Sequence, residues 1–336
     1  MANYRDIHGF QIEIRSDNPS NPVNGQVWYN TTDSKLRGST VSSVGSWATG
    51  GSLNTARYSL AGAGTQTSAL AIGGTLDPPN SNKAESYNGS TWTEVANLNQ
   101  QRYEIGGAGA SNTAALAFGG GPGSGQTAET ENFNGTAWTE VADLNTARRA
   151  ISNAEAGTNT AALVFGGTPG SGRTEKTEKW NGTSWAEVAD LNTDRYSLAG
   201  GGTYTSALAF GGYDGGKSDK TESWNDTSWT EVADLNLARD NLMGEGSNNT
   251  NALCVGGYTP PNGSSGDAAN QTVTELWNGT CWSEQNNLSN ATRSAAMGGN
   301  QTSAISFAGV NPSAGRVAVS EEWDVPFIGI REFTLS

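Results

Sequence analysis

The sequence predicts an all-β protein: a six-bladed β-propeller with a small N-terminal β appendage, its ring closed by an N-terminal strand. A block of similar sequence returns six times, at intervals of 44 to 54 residues, and repetition at that period is typical of propellers and solenoids. Each block holds short β-type patterns separated by turn-forming residues. The first block lacks its beginning and the last lacks its end, as a circular arrangement requires.

Residues 1–40 do not share the repeat, and we predict that they form the appendage. Phe10–Arg15 alternates with a period of two residues, which indicates a strand. Val27–Asn30 and Lys35–Arg37 indicate two further short strands around a turn. The predicted organisation is therefore an appendage or attachment segment over 1–40, a propeller over 41–325 and a C-terminal tail over 326–336.

The repeated block predicts four short strands with fixed landmarks. A Glu stands two residues before an aromatic residue, a Trp follows, and an Arg follows the Trp by ten residues in all blocks but the last, where the spacing is eleven. An Asn-Gly pair joins the third and fourth strands in four blocks, and this pair is the strongest short signal of a hairpin. The arginines are Arg57, Arg102, Arg148, Arg195, Arg239 and Arg293. The glutamates are Glu85, Glu131, Glu178, Glu222, Glu275 and Glu321. The tryptophans are Trp47, Trp92, Trp138, Trp185, Trp229 and Trp282.

The two incomplete blocks predict how the ring closes. The strand that carries Trp47 has no third strand of its own before it, and the strand that ends at Trp323 has no fourth strand after it. Joining the two completes one blade. Closure in this way removes exposed sheet edges, which are otherwise sites of aggregation.

These landmarks resemble the kelch repeat over about residues 47–324. The shared elements are the Gly-Gly after an apolar strand, the Glu before an aromatic, the later Trp and the Arg that opens the next unit. The chain departs from the family in having Asn-Gly where kelch units often have Tyr-Asp-Pro. The Gly/Asn/Thr-rich sequence of the repeats resembles that of propellers encoded by tailed, especially marine, bacteriophages. Residues 25–37 are similar to a segment that recurs in phage tail and fibre proteins.

Structural roles are expected for the repeated charged and aromatic residues. The arginines and glutamates are expected to form charge-assisted hydrogen bonds between strands or blades, because pairing devices recur in stacked units. An acidic metal site is the alternative. The tryptophans are expected to fill the space between blades. Their alternative role is as stacking platforms for sugars.

Composition limits the partners. The formal net charge of −14 excludes a general binder of nucleic acid or anionic membranes, which needs a basic face. The N-terminal sequence has no signal-peptide pattern and no stretch is apolar enough for membrane insertion, so we expect synthesis in a cytoplasm without export.

The sequence predicts neither an enzyme nor a cofactor. His8 is the sole histidine and lies outside the repeat, which argues against a copper oxidase or a Ser-His-Asp site. Cys254 and Cys281 do not have metal-ligand spacing, and Cys254 is expected to be a small buried residue. Calcium bound by loop oxygens stays open, as does a pair of carboxylates for glycoside hydrolysis.

Variation among the blocks is concentrated in the loop between the second and third strands. The longest such loop, Tyr258–Val273, carries aromatic, Pro, Asn and Asp residues that suit a sugar or a protein edge. Variable loops on one face are how repeat scaffolds carry binding surfaces. The candidate binding residues are Tyr213, Asp214, Tyr258, Pro260, Asn262 and Asp267. An idle surface insertion is the alternative for the long loop.

The expected function is that of a non-enzymatic structural or adhesion component of a tailed-phage virion, on its tail, fibre or capsid surface. Residues 1–40 would contact other virion proteins, the loops would contact a host-surface glycan or protein, and several copies would form a symmetric assembly. The phage setting is implied by the resemblance alone. The rivals are a cytoplasmic kelch-type scaffold for protein interactions and a carbohydrate-active enzyme.

Overall fold

The computed structural model describes residues 12–19, 26–40, 44–76, 78–123, 125–151, 155–259, 270–325 and 329–332. The chain divides into two compact units, one formed by residues 1–46 with 325–336 and the other by residues 47–324. The described residues are all-β and contain no α-helix. Accordingly, no helix among them has the length and apolar character needed to cross a membrane.

The strands of the described residues are short and follow one another at brief intervals. In chain order they are β1 (Glu13–Arg15), β2 (Val27–Asn30), β3 (Lys35–Thr40), β4 (Ser46–Thr49), β5 (Ala61–Thr65), β6 (Ser68–Ile72), β7 (Ala84–Tyr87), β8 (Trp92–Val95), β9 (Gly106–Ser111), β10 (Ala114–Phe118), β11 (Thr130–Phe133), β12 (Trp138–Val141), β13 (Glu155–Thr158), β14 (Ala161–Phe165), β15 (Thr177–Trp180), β16 (Trp185–Glu187), β17 (Ala199–Thr203), β18 (Ser206–Phe210), β19 (Thr221–Trp224), β20 (Trp229–Glu231), β21 (Met243–Asn248), β22 (Asn251–Val255), β23 (Thr274–Trp277), β24 (Trp282–Glu284), β25 (Ala296–Asn300), β26 (Ser303–Phe307), β27 (Val310–Asn311), β28 (Gly315–Arg316), β29 (Ser320–Asp324) and β30 (Gly329–Glu332).

The first unit contains one four-stranded sheet in the order β1-β2-β3-β30. β1 runs parallel to β2, and the other neighbours are antiparallel. Trp28 is fully buried, and its indole nitrogen donates to Asn18 Oδ1 at 3.2 Å. The expected strand at residues 10–15 is present from Glu13, while residues 10 and 11 lie outside the described part. β30 pairs with β3, whereas the sequence predicts a separate tail over 326–336.

The second unit repeats a four-stranded sheet, the arrangement of β-propeller blades. Sheets 1 to 5 are formed by β5–β8, β9–β12, β13–β16, β17–β20 and β21–β24, in that order. Neighbouring strands within them are antiparallel. Sheet 6 has the order β25-β26-β29-β4, so a strand from early in the chain lies beside the last strand of the repeat. Just beyond β4, Leu53 N donates to Ala318 O at 2.8 Å.

The sequence of each sheet explains its packing. The second strand of every sheet has five residues, of which the last four are buried and, apart from Ser306 in sheet 6, apolar. The first strand is rich in Gly and Ala because neighbouring first strands touch. A Cβ on Gly62 would lie 1.9 Å from the carbonyl oxygen of Met297, and one on Gly201 would lie 2.5 Å from the nitrogen of Gly246. Only glycine permits backbones to approach so closely.

The links between strands emerge at two opposite ends of the sheets. At one end lie the tight turns that join first to second and third to fourth strands, including the Asn-Gly turns, in which Gly89 takes a φ of 89°. At the other end, which we call the loop end, lie the loops between second and third strands and the links to the next sheet. In sheet 6 that loop forms the small hairpin β27–β28.

Candidate functional site

Five of the six repeated arginines are fully buried beside a repeated glutamate. Nη1 of Arg57 lies 2.7 Å from Glu85 Oε1, and Nη2 of Arg195 lies 2.8 Å from Glu222 Oε1. The other pairs are Arg102–Glu131 at 2.6 Å, Arg239–Glu275 at 2.5 Å, and Arg148–Glu178. Burial lowers the pKa of Arg195, and the charge of Glu222 opposes that shift. A buried charge is tolerated only when paired in this way.

An asparagine that the sequence analysis did not single out completes each of these clusters. Both the backbone nitrogen and Nδ2 of Asn192 donate to Glu222 Oε2, at 2.7 and 2.8 Å. The equivalent residues in the other four sheets are Asn54, Asn99, Asn145 and Asn236. The signal was present in the sequence as a Leu-Asn pair before each of these arginines. The glutamates are therefore held by hydrogen bonds within the fold.

Sheet 6 departs from this pattern, and here the expected Arg293–Glu321 pairing is wrong. Arg293 follows Trp282 by eleven residues, so Thr292 takes the position that the arginines occupy elsewhere. The Arg293 guanidinium lies instead 4.4 Å from the ring centre of Tyr258. Glu321 is 5% exposed and accepts hydrogen bonds from the backbone nitrogens of Ser289 at 2.8 Å and Asn290 at 3.1 Å.

The repeated tryptophans lie between neighbouring sheets. Nε1 of Trp185 in sheet 3 donates to the hydroxyl of Thr130 in sheet 2 at 3.1 Å. The same bond to the preceding sheet is made by Trp229, Trp282 and Trp47. Trp138 donates to the carbonyl of Ala96 instead. Trp47 is half-buried, whereas Trp92, Trp138, Trp185, Trp229 and Trp282 are each 5% or 6% exposed. The five buried indoles are too enclosed to serve as open platforms for sugars.

At the loop end, several positions directly after the repeated arginines and Gly-Gly pairs carry aromatic or cationic side chains, and Lys217 lies in the loop between β18 and β19. Tyr196 and Tyr213 stack with ring centres 5.1 Å apart. Lys217 Nζ lies 5.7 Å from the ring centre of Tyr213 and 4.7 Å from that of Tyr258. Arg149 Nη1 donates to Tyr103 Oη at 2.9 Å. We call this set the tyrosine–cation row: Tyr103, Arg149, Tyr196, Tyr213, Lys217, Tyr258 and Arg293.

A cleft of about 420 Å³ opens within the row. Its lining includes the side chains of Tyr196, Tyr213, Arg149, Arg173 and Glu104. Burial raises the pKa of Glu104, although Arg149 Nη1, 2.9 Å from Glu104 Oε2, opposes the shift. Burial likewise raises the pKa of Tyr196. Two guanidinium groups and two phenol rings thus face one cleft on a chain of net charge −14.

Three of the six candidate binding residues fall within the described structure. Tyr213 and Tyr258 belong to the tyrosine–cation row. Asp214 lies 3.4 Å from Lys220 Nζ; burial acts to raise its pKa, but the hydrogen bond and charge of Lys220 hold that pKa below its ordinary value. Pro260, Asn262 and Asp267 lie outside the described residues. The sequence did not predict Tyr103, Arg149, Tyr196 and Lys217 as binding residues, because the positions after the arginines vary from block to block.

Metal and thiol chemistry have little support in the described part of the chain. No group of three or more His, Cys, Asp or Glu side chains that could hold a metal occurs among those residues. Cys254 is buried, with Sγ 3.0 Å from Nη2 of Arg239, and burial raises its pKa to about 12. A thiol with so high a pKa is a poor nucleophile at neutral pH.

Solved structures include proteins of similar fold. One of them is YjhT. The structure described as "Structure of YjhT" matches with a TM-score of 0.70 at 13% sequence identity, covering 84% of this chain and 99% of that one. No family model and no curated protein matches the sequence. At 13% identity the likeness to YjhT establishes the fold and leaves the function to be argued from the site.

Proposed function

We propose that this protein is a non-enzymatic adhesion component of a tailed-phage particle, and that it binds its target through the tyrosine–cation row. The observation that carries the proposal is the cleft of about 420 Å³, which joins stacked phenol rings to two guanidinium groups at the loop end. Aromatic and arginine side chains are the residue types that dominate binding surfaces. They suit a host-surface glycan with acidic groups or the edge of an acidic protein.

The scaffold in this proposal is a closed ring of six blades. Its support is a cycle of contacts, in which the first strands of sheets 1 to 6 each touch the next and β25 touches β5. A second cycle joins six residues that share a φ between 51° and 57°, namely Ser59, Glu104, Ala150, Ser197, Asn241 and Ser294. Backbone hydrogen bonds pass from sheet to sheet around them, for example Ser59 N to Ser294 O at 2.8 Å. In this ring β4 completes the last blade.

A non-enzymatic role is supported by the engagement of the carboxylates. The five glutamates of sheets 1 to 5 each accept from an arginine and an asparagine, so their oxygens are committed to the fold. In the cleft, Glu104 is paired with Arg149. Glycoside hydrolysis uses two carboxyl groups that flank the bond to be broken. The described wall of the cleft offers one.

The virion setting rests on the resemblance of residues 25–37 to segments of phage tail and fibre proteins. In the structure β2 and the first three residues of β3 belong to that segment, and the two strands pair as a hairpin, with Trp28 opposite Arg37. We propose that residues 1–40 attach the protein to its neighbours in the particle, in several copies.

The test asks whether the protein is part of the particle and whether it binds host cells. Mass spectrometry of purified particles should find the protein in stoichiometric copies, and the isolated protein should bind host cells. Replacing both stacked rings, Tyr196→Ala with Tyr213→Ala, should reduce binding at least tenfold, because aromatic anchors carry a large share of such interfaces. The matched control is Tyr204→Ala, which removes a tyrosine beside Lys179, 4.5 Å away, at the opposite end of the sheets.

Other results would support a different function or a different binding surface. A protein found only in the cytoplasm of infected cells would identify an intracellular scaffold. Release of reducing sugar from host glycans would identify an enzyme. Equal binding by the Tyr196/Tyr213 variant and the Tyr204 control would reject the tyrosine–cation row as the adhesive surface.

A further inference from the structure

Sheet 6 holds a cavity at the place where the other sheets hold a buried guanidinium group. Its volume is about 180 Å³, and its lining includes Thr292, Ser306, Ala308, Val319 and Glu321. Thr292 follows Trp282 by ten residues. Arg102 follows Trp92 by the same number, in the segment that joins β8 to β9. The cavity therefore begins at the side chain that replaces the arginine.

The backbone confirms that Thr292 and the arginines are equivalent. Thr292 N donates to Gln271 O at 3.1 Å, as Arg102 N donates to Ser81 O at 3.2 Å. Gly257 N donates to Thr292 O at 2.9 Å, as Gly74 N donates to Arg102 O at 2.8 Å. The main chain thus takes the same course, and the difference lies in the side chain alone.

The acceptors that hold a guanidinium elsewhere are also retained. Arg102 donates to the carbonyls of Gly119 at 3.0 Å and Glu129 at 2.7 Å, besides Glu131. Arg195 makes the same set of bonds in sheet 4, to Gly211, Lys220 and Glu222. Their counterparts in sheet 6 are Ala308, Val319 and Glu321. Ala308 N donates to Val319 O at 2.9 Å, matching the bond of 3.0 Å from Gly119 N to Glu129 O.

The charge of Glu321 is left without a cation in this arrangement. The side chain is almost fully buried, and its hydrogen bonds come from the neutral groups of Ser289 and Asn290. Within the described part of the chain, no Lys, Arg or His nitrogen lies in ion-pair distance of it. A buried carboxylate gains most from a partner that supplies both charge and several donors.

We propose that this cavity binds a guanidinium group carried on a short alkyl chain, supplied by another molecule. The group would take the place that Arg102 or Arg195 takes in its own sheet, with donors toward Glu321 and toward the carbonyls of Ala308 and Val319. A planar fork of donors matches this set of acceptors, whereas an ammonium group offers a point charge. The site is separate from the tyrosine–cation row and does not depend on its function.

The way in lies at the loop end. Asn311, Ala314 and Val317 line the cavity and belong to the loop that contains β27 and β28. This loop is the counterpart of the variable loops in the other sheets. The same chemistry is offered by a small alkylguanidine and by an arginine side chain of a peptide, and both can be presented from this end.

Titration calorimetry on the full chain provides the test, with ethylguanidinium as the probe. We expect one saturable site with a dissociation constant on the order of millimolar, as befits a ligand of so few atoms. Ethylammonium, which has the charge without the fork, should bind at least tenfold more weakly. The tripeptide Gly-Arg-Gly distinguishes the two sources: tighter binding than ethylguanidinium supports a peptide ligand, and exclusion of the tripeptide supports a small molecule.

Two variants decide whether binding occurs at this cavity. Thr292→Arg should abolish binding, because a tethered guanidinium fills the site. Glu321→Gln, which keeps the shape of the side chain and removes its charge, should weaken binding at least tenfold, and it decides the matter alone if Thr292→Arg does not fold. Unchanged affinity in either folded variant, or the absence of saturable binding to the native chain, would overturn the proposal.

Discussion

Sheets 4 and 6 differ at the buried position that holds the repeated arginine, and the difference shows what the repeat maintains. In sheet 4, Arg195 neutralises Glu222 and also satisfies the carbonyls of Gly211 and Lys220. In sheet 6 the glutamate is kept, but Thr292 stands in for the arginine and a cavity remains. The strands keep the same order of first, second and third. The four-stranded sheet therefore forms without the ion pair, and other contacts specify its fold.

Removing the carboxylate should show the largest difference in stability between sheets 4 and 6. Glu222→Gln leaves Arg195 charged and buried without a counter-ion, and breaking a buried pair in this way costs about 3–5 kcal/mol. Glu321→Gln removes a charge that has no cationic partner among the described residues, so its cost should be that of an altered neutral hydrogen bond, about 1 kcal/mol. Denaturant unfolding of both variants measures the difference. Equal losses would show that the pair in sheet 4 has no special weight.

Adding the arginine is the converse experiment and should have a smaller effect. Thr292→Arg places a guanidinium beside Glu321 and the carbonyls of Ala308 and Val319, and hydrogen bonds to charged groups are worth about 1.5–3 kcal/mol. We expect a rise of about 2 kcal/mol in the free energy of unfolding. The control is Thr292→Leu, which fills the same cavity without charge or donors. A Leu variant as stable as the Arg variant would assign the gain to cavity filling.

The comparison of the two sheets also shows which structural features the sequence predicts. The all-β class and the strands of each block were predictable, because the apolar runs, the Asn-Gly turns and the Gly-Gly pairs recur at fixed spacing. The clusters around Glu222 and its equivalents were predictable in outline from that recurrence. The displacement of Arg293 was visible as a spacing of eleven, but its consequence was not, since the sequence does not show which of two adjacent residues keeps the backbone position.

The binding surface was harder to predict for a related reason. Tyr213 and Tyr258 were identified because they follow Gly-Gly pairs in variable loops. Their neighbours Tyr196 and Lys217 come from other parts of the chain, and only the fold brings them close. The ring centres of Tyr196 and Tyr213 are 5.1 Å apart. Lys217 Nζ lies 4.7 Å from the ring centre of Tyr258. Contacts between segments that are far apart in sequence leave no periodic signal.

Glu245 is a second residue that departs from the repeat, and it predicts a small dependence of stability on pH. Glu245 lies in β21, where the corresponding first strands carry Gly or Ala, and it lines a cavity of about 100 Å³ whose other walls are glycine and alanine. Burial raises its pKa from 4.5 to about 8. The folded state therefore holds a proton that the unfolded chain has lost, and the free energy of unfolding should fall as the pH rises from about 4.5 through about 8.

Glu245 is only half-buried, which limits the size of this effect. We expect a decrease on the order of 1 kcal/mol across that range, after discounting for solvent screening. Glu245→Gln is the matched variant, because it keeps the volume and removes the titration. Denaturant unfolding at pH 5 and pH 8.5 should show a decrease in the native chain that is absent from the variant. A native chain whose stability is the same at both pH values, or a variant that follows the native profile, would show that Glu245 is ionised in the folded state as it is in the unfolded one.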